Sequence, residues 1–187
     1  DQIIAICVTA MQRQGRLKNT MVVTTVMSNL GLKVALAERG ITHVEANVGD
    51  RYVLEEMLAK DAALGGEDSG HIIFLEHHST GDGIIAALEL LRVMREEAKA
   101  LSKLGCMQVF PQKLINIKVR HKPEISTIPQ IDAVIKEVER ELRDKGRVLV
   151  RYSGTQQMCR VMVEGPTVEV TESACMKIAD VIKAQLA

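Results

Sequence analysis

The chain has 187 residues, is 47% hydrophobic, and balances 24 Lys plus Arg against 24 Asp plus Glu. That length fits one large domain or two small ones, and the apolar content excludes wholesale disorder. Zero net charge argues against a general binder of nucleic acid or acidic membrane, which needs a basic excess, and an aromatic content of 2% removes base-stacking platforms.

In chain order, Ile3, Ile4, Cys7, Val8 and Met11 recur at helical spacing, and Gly15 is the stop. Thr20 to Val26 reads as a buried strand. Ser28 or Asn29 caps a helix over Leu30 to Arg39, closed by Gly40. A second strand covers Ile41 to Ala46. A helix over Tyr52 to Lys60 follows Gly49-Asp50-Arg51, with Val53, Leu54, Met57 and Leu58 along its inner side. Leu64 to His71 is a Gly-rich turn, Ile72 to Leu75 a strand, and Gly81-Asp82-Gly83 another turn. A long helix from Ile84 to about Leu101 carries Leu88, Leu91 and Met94 on one face. Strands alternating with helices favour an α/β layer with a mostly parallel sheet.

From Gly105 to Pro111 the periodicity breaks, which places a domain boundary there: 1–106 before it and 112–187 after it. The second domain reads as strand Leu114 to Val119, helix Ile131 to Asp144 ended by Gly146, strand Val148 to Tyr152, strand Arg160 to Glu164, and helix Thr171 to Leu186. That order predicts a largely antiparallel sheet covered by two helices. No apolar run approaches the about 18 residues of a membrane span, and the first residues lack a signal peptide's basic head and cleavage site. Cys7, Cys106, Cys159 and Cys175 have no CxxC spacing and mostly apolar neighbours, so they read as reduced, buried thiols.

The richest candidate site is Arg151-Tyr-Ser153-Gly154-Thr155-Gln-Gln-Met-Cys-Arg160, in the turn between two strands. Ser, Thr and Gly bring hydroxyls and close backbone approach, and two Arg bring fixed forks, the donor mixture a phosphate needs. The plainer alternative is a polar hairpin with solvated arginines. In Gly65-Gly66-Glu67-Asp68-Ser69-Gly70-His71, alternate spacing in an extended loop would point Glu67, Ser69 and His71 the same way, as acceptors and donors for hydroxyl groups; an ordinary polar loop is the competing reading. Val48-Gly49-Asp50-Arg51 stands at a helix start, where an anion can bind or Asp50 can simply complement the dipole. His77-His78 with Asp82 reads as a solvated loop, because adjacent strand residues point to opposite faces. No Walker loop, HExxH, GxSxG or DGDxDR-like metal loop occurs.

Four segments, VGDRYVLEEM, GGEDSGHIIF, TGDGIIAALELL and RYSGTQQMCRVMVEG, lie in order along nearly the whole chain. Together they resemble the C-terminal half of the phosphoglucosamine mutases, within the α-D-phosphohexomutase superfamily. The GGExSGH form with VGDRYV is more similar to this glucosamine branch than to the mannose or glucose branches. The resemblance implies four domains around a cleft, of which 1–106 is the third and 112–187 the fourth. The first two, holding a phosphorylated serine and an aspartate loop for Mg²⁺, are expected upstream, and Asp1 reads as an excision point. No catalytic residue or metal ligand is therefore expected in this chain.

The implied reaction interconverts glucosamine 6-phosphate and glucosamine 1-phosphate through a phosphoserine and a hexosamine bisphosphate, feeding peptidoglycan precursors in the cytoplasm. By the same resemblance, Glu67 and Ser69 hold sugar hydroxyls with His71 nearby. Arg151, Ser153, Gly154, Thr155 and Arg160 clamp the idle phosphate, and Gly49, Asp50 and Arg51 form a further substrate loop. The partners implied are the sugar phosphates and the missing N-terminal domains, with no nucleic acid and no membrane. One departure is Gln156, where the superfamily usually has Glu after Ser-Gly-Thr. The alternatives are a non-catalytic sugar-phosphate binding module and a fragment of a phosphomannomutase or phosphoglucomutase.

Overall fold

Residues 1–187 are all described in the computed structural model, and they divide into two units, Asp1–Val109 and Phe110–Ala187. In the first unit the order is α1 (Gln2–Arg13), β1 (Met21–Thr25), α2 (Leu30–Glu38), β2 (Thr42–Ala46), α3 (Asp50–Lys60), β3 (Leu64–Gly66), β4 (Ile72–Phe74) and α4 (Gly83–Glu97). The sheet runs β2-β1-β3-β4. Helices α2 and α3 serve as crossovers, so β1 is parallel to both β2 and β3. Strand β4 returns by a tight turn and is antiparallel to β3.

Successive β1 residues serve opposite layers. Val22 packs with Ile4, Cys7 and Met11 of α1, Leu32 and Leu36 of α2, and Phe74. Val23 packs with Val53 and Met57 of α3 on the other side. Burial on both faces explains why β1 lacks polar alternation. Asn29 caps α2 by accepting from the Gly31 N–H at 3.0 Å. Asp82 caps α4, accepting from Ile84 and Ile85 at 2.7 and 3.0 Å, and those two bonds hold its carboxyl below the usual range.

Three sequence expectations are corrected here. The Gly-rich stretch is not all turn, because Leu64–Gly66 is a strand. Gly65 is there for closeness, since a Cβ would collide with Met57 and Val53 of α3. Leu58 on α3 is 62% exposed, leaving Val53 and Met57 as the inner pair. On α4, Leu88 and Leu91 are 60% and 56% exposed, and Ala86, Glu89 and Val93 face inward instead. Glu89 tolerates that position because Arg92 reaches it at 2.6 Å and His77 at 2.9 Å.

The second unit contains β5 (Gln112–Lys118), α5 (Pro129–Leu142), β6 (Arg147–Tyr152), β7 (Met158–Glu164) and α6 (Val168–Leu186). Its sheet runs β5-β7-β6, with both pairs antiparallel. Ile117, Val161, Val163 and Cys159 pack under Ile131, Val134 and Val138 of α5 and Ile178 and Ile182 of α6. Pro129 opens α5, where a missing N–H costs nothing. Thr167 caps α6, accepting from the Val170 N–H at 3.3 Å, so that helix begins before Thr171. The architecture is the expected α/β unit followed by an antiparallel sheet under two helices. No helix is long and apolar enough to cross a membrane.

Candidate functional site: two polar loops

In the second unit the site is built on the β6–β7 hairpin. Val148, Val150 and Tyr152 of β6 pack toward the helices with Cys159, Val161 and Val163 of β7. Strand alternation therefore sends Arg151 and Arg160 to the face that receives neither helix. They occupy directly opposed positions on the two strands. The Nε of each is buried without a hydrogen-bond partner. Burial first, and Arg160 second, lower the Arg151 pKa. Like charges directly opposed destabilise a sheet, and a buried donor without an acceptor costs free energy. The pair is unfavourable unless an anion lies across it.

The turn beyond the arginines is held by its own backbone. Ser153 is 4% exposed, and its N–H donates to the Met158 carbonyl at 2.9 Å. Its Oγ accepts from the Gln156 N–H at 3.2 Å, and its carbonyl accepts from Lys122 Nζ at 2.6 Å. Gly154 and Thr155 stand exposed at the tip. The bond at Gln156 is made by its main chain, so exchange of Glu for Gln leaves the turn's internal bonding intact. Beside Arg151 a hollow of about 480 Å³ is lined by Glu124, Ile125, Ser126, Asp132 and Tyr152.

In the first unit Gly49, Asp50, Glu67 and His71 come together. Glu67 leaves the end of β3, and its Oε1 accepts from the Gly49 N–H at 2.9 Å. His71 Nε2 lies 3.4 Å from Asp50 Oδ2. Gly49 sits at φ +132°, a conformation that favours glycine, and this sets Asp50 as the first residue of α3 with Gly49 as its cap. Between Glu67 and His71 the chain is a tight turn, not an extended loop. Gly70 N–H donates to the Glu67 carbonyl at 3.1 Å, and the Glu67 N–H to the His71 carbonyl at 2.9 Å. Ser69 consequently stands exposed at the tip, and the expected common direction of Glu67, Ser69 and His71 is not found. Arg51 is likewise outside the group, engaged with Glu55 at 2.8 Å within its own helix.

A grouping of metal-type donors, Glu76, His77 and Glu89, also occurs. Arg16 bonds to Glu76 and reaches Glu89, and Arg92 holds Glu89 as well. Guanidinium groups already balance those carboxylates, so the donor set does not suit a cation.

Residues 1–110 match the family model described as phosphoglucomutase/phosphomannomutase, alpha/beta/alpha domain III, and residues 114–181 match the C-terminal domain of the same proteins. The chain belongs to the phosphoglucomutase/phosphomannomutase family. Among curated relatives, the phosphoglucosamine mutase of Syntrophus aciditrophicus is 58% identical over the whole chain, and that of Nitratidesulfovibrio vulgaris is 50% identical. The chain spans 42% of the length of each. Among solved structures, Aspergillus fumigatus N-acetylphosphoglucosamine mutase in complex with GlcNAc-6P and magnesium superposes with a TM-score of 0.83 at 16% identity. That match covers 98% of this chain and 46% of the other, and it carries the fold.

Two further residues of this phosphoglucomutase/phosphomannomutase chain belong to the loops without having been marked by sequence. Lys122 ties the chain after β5 to Ser153 through a contact 31 residues away, which no local pattern reveals. Gly81 lies against the His71 imidazole, where a Cβ would collide with the ring. The Gly81-Asp82-Gly83 run signals a turn in the sequence, and only the fold shows that the first glycine makes room for a side chain.

Proposed function

We propose that this chain is the sugar- and phosphate-recognising part of a phosphoglucosamine mutase, interconverting glucosamine 6-phosphate and glucosamine 1-phosphate. The observation that carries it is the opposed Arg151–Arg160 pair beside the Ser153-Gly154-Thr155 turn. Two guanidiniums with no partner on Nε form a standing demand for an oxyanion, and a phosphate monoester fills it bidentately. The names of the curated relatives support glucosamine over other hexoses.

In this reading Arg151, Arg160 and the Ser153, Gly154 and Thr155 turn hold the phosphate that is not reacting. Glu67 spends one carboxylate oxygen on the Gly49 N–H and keeps the other for a sugar hydroxyl. His71 and Asp50 complete that side, with Ser69 and Arg51 at the margin. Holding both ends of the substrate converts binding free energy into orientation of the reacting hydroxyl. The bisphosphate intermediate presents either end to the same anchor. Domains beyond this chain would supply the phosphoserine, and Mg²⁺ bound there would stabilise negative charge on the transferring phosphoryl group. The same reading places the protein in the cytoplasm, among peptidoglycan precursors, where Cys7, Cys159 and Cys175 stay reduced and buried.

The test uses the full-length protein and the 187-residue chain in parallel. The full-length protein turns over glucosamine 6-phosphate faster than mannose or glucose phosphates, and the chain alone does not turn it over. Arg151→Ala in the full-length protein lowers kcat/KM by about a hundredfold, since each charged hydrogen bond contributes about 1.5–3 kcal/mol. Wild-type kinetics in that variant, or turnover by the isolated chain, overturns the proposal.

A further inference from the structure

The helix-free face of the second sheet holds more than the two arginines. On β5, Ile115 and Ile117 pack toward the helices, so Leu114, Asn116 and Lys118 share the face of Arg151 and Arg160. The register lines these residues up in rows across the three strands. Gln112, Glu164 and Arg147 form one row, and Leu114, Met162 and Leu149 the next. Asn116, Arg160 and Arg151 form the third, and Lys118 lies opposite Met158 beside the turn.

Charge is distributed unevenly over these rows. Glu164 is the one acidic residue among them, and Arg147 holds it at 2.5 Å at the end remote from the turn. A row of Leu114, Met162 and Leu149 separates that pair from the cations. At the turn end, Lys118 is exposed and forms no ion pair, whereas Lys113 on the same strand is held by Glu172 at 2.7 Å. The acids lining the hollow beside Arg151 are engaged elsewhere: Asp132 binds Lys136 at 2.7 Å, and Glu124 accepts from Ser126 at 2.8 Å. Three cations and an amide of this face are thus gathered beside the turn whose Ser153 carbonyl Lys122 already holds, with no carboxylate paired to any of the three.

Strand chemistry makes the arrangement unfavourable without a ligand. Asn is a poor strand residue, yet Asn116 is directly opposed to Arg160. Lys118 is the diagonal neighbour of Arg160, at a distance of about 7–8 Å that long side chains span. Each adds a donor and no acceptor for a guanidinium apart from the amide oxygen of Asn116. We propose that Asn116 and Lys118 of β5 are further phosphate-binding residues, widening the grip from two strands to three. Lys118 contributes the third cation of the sheet face, which a doubly charged phosphate monoester draws in. Asn116 donates its amide N–H to a phosphate oxygen or orients Arg160 through its amide oxygen. This rests on the phosphate reading of the β6–β7 turn.

The experiment is an NMR titration of the 187-residue chain with inorganic phosphate and, separately, glucosamine 6-phosphate. Lys118→Gln and Asn116→Ala each weaken binding of both probes three- to tenfold, and Lys118→Arg restores wild-type affinity. Lys183→Gln, on helix α6 and paired with Asp180, changes affinity by less than 1.5-fold and controls for net charge. Unaltered melting temperatures of the variants separate lost binding from lost fold. If Arg151→Ala abolishes binding while Lys118→Gln and Asn116→Ala bind as wild type, the three-strand grip is refuted and the two-arginine anchor stands. If wild type binds phosphate no better than Arg151→Ala, the anchor itself is refuted, and the extension with it.

Discussion

The two loops answer the same need in opposite ways. The Glu67–His71 loop is tied to groups of complementary character: its carboxylate takes the Gly49 N–H, and its imidazole, though Nε2 makes no hydrogen bond, stands 3.4 Å from the Asp50 carboxylate. The Arg151–Arg160 hairpin is left in deficit, with buried Nε atoms that have no acceptor. Polar groups set beside complementary neighbours preserve a shape and discriminate by geometry. Unsatisfied positive groups sacrifice stability in the free protein and regain it when a ligand arrives. In the proposed reading, the contrast suits a division between recognising a sugar ring and holding an anion.

The sharpest way to break this comparison is to remove one residue from each loop. Glu67→Ala strips the Gly49 N–H of its acceptor and costs about 1–2 kcal/mol of stability. Arg151→Met relieves the opposed charges and changes stability by no more than about 1 kcal/mol, in the stabilising direction. Added phosphate raises the melting temperature of wild type and of Glu67→Ala, and leaves that of Arg151→Met unmoved. Calorimetric scans with and without phosphate decide it, and equal destabilisation by both substitutions would remove the distinction.

Alkaline titration probes the two cores beneath the loops. Burial pushes Cys7 in the first unit up to about 12, and Cys159 and Cys175 in the second up to about 11. Their folded values exceed the ordinary thiol value of 9.0, so the stability they contribute is full below pH 9. It declines as pH rises through 9 toward 11, while the unfolded chain releases thiol protons that the folded chain retains. Denaturant midpoints measured between pH 8 and 11 should fall steadily. At pH 8 a thiol reagent should label half-exposed Cys106 well before the three buried cysteines.

The smallest effect is expected at Gln156. Gln156→Glu leaves the melting temperature unchanged, because the bond to Ser153 Oγ comes from the main chain. The added charge beside exposed Thr155 is screened and weakens phosphate affinity by less than about threefold. A larger loss would mean that the side chain, rather than the backbone, shapes the anchor.

Much of this was legible in the amino acids. The cap at Asn29, one of the two residues the sequence offers, the turn at Gly81-Asp82-Gly83 and the break before Pro111 are local events with local causes. The arginine segment was legible as a turn between two strands, but the direct opposition of Arg151 and Arg160 depends on the β6–β7 register, which turn length sets and the sequence pattern does not show. What failed to show depends on distant partners. The inner face of α4 was misjudged because its true stripe is interrupted by Glu89, whose charge is masked by Arg16, His77 and Arg92. Its outer stripe of Leu88 and Leu91 looks the more apolar of the two. Ser69 looked aligned with Glu67 because a two-residue period holds only for extended chain, and Gly70 at φ +96° folds the segment back. Lys122 was invisible for a simpler reason: its partner is reached only after the β5–β7–β6 sheet has formed.

The scarcity of aromatic residues has a practical consequence. The chain has no Trp and only two Tyr. One, Tyr52, lies against Gly49 in the first loop, and the other, Tyr152, adjoins Arg151 in the second. Ultraviolet emission from the unlabelled chain therefore arises almost wholly from these two phenols. Replacing either one with Phe leaves a native optical reporter on a single loop, so that events at the two loops can be followed separately without attaching a dye.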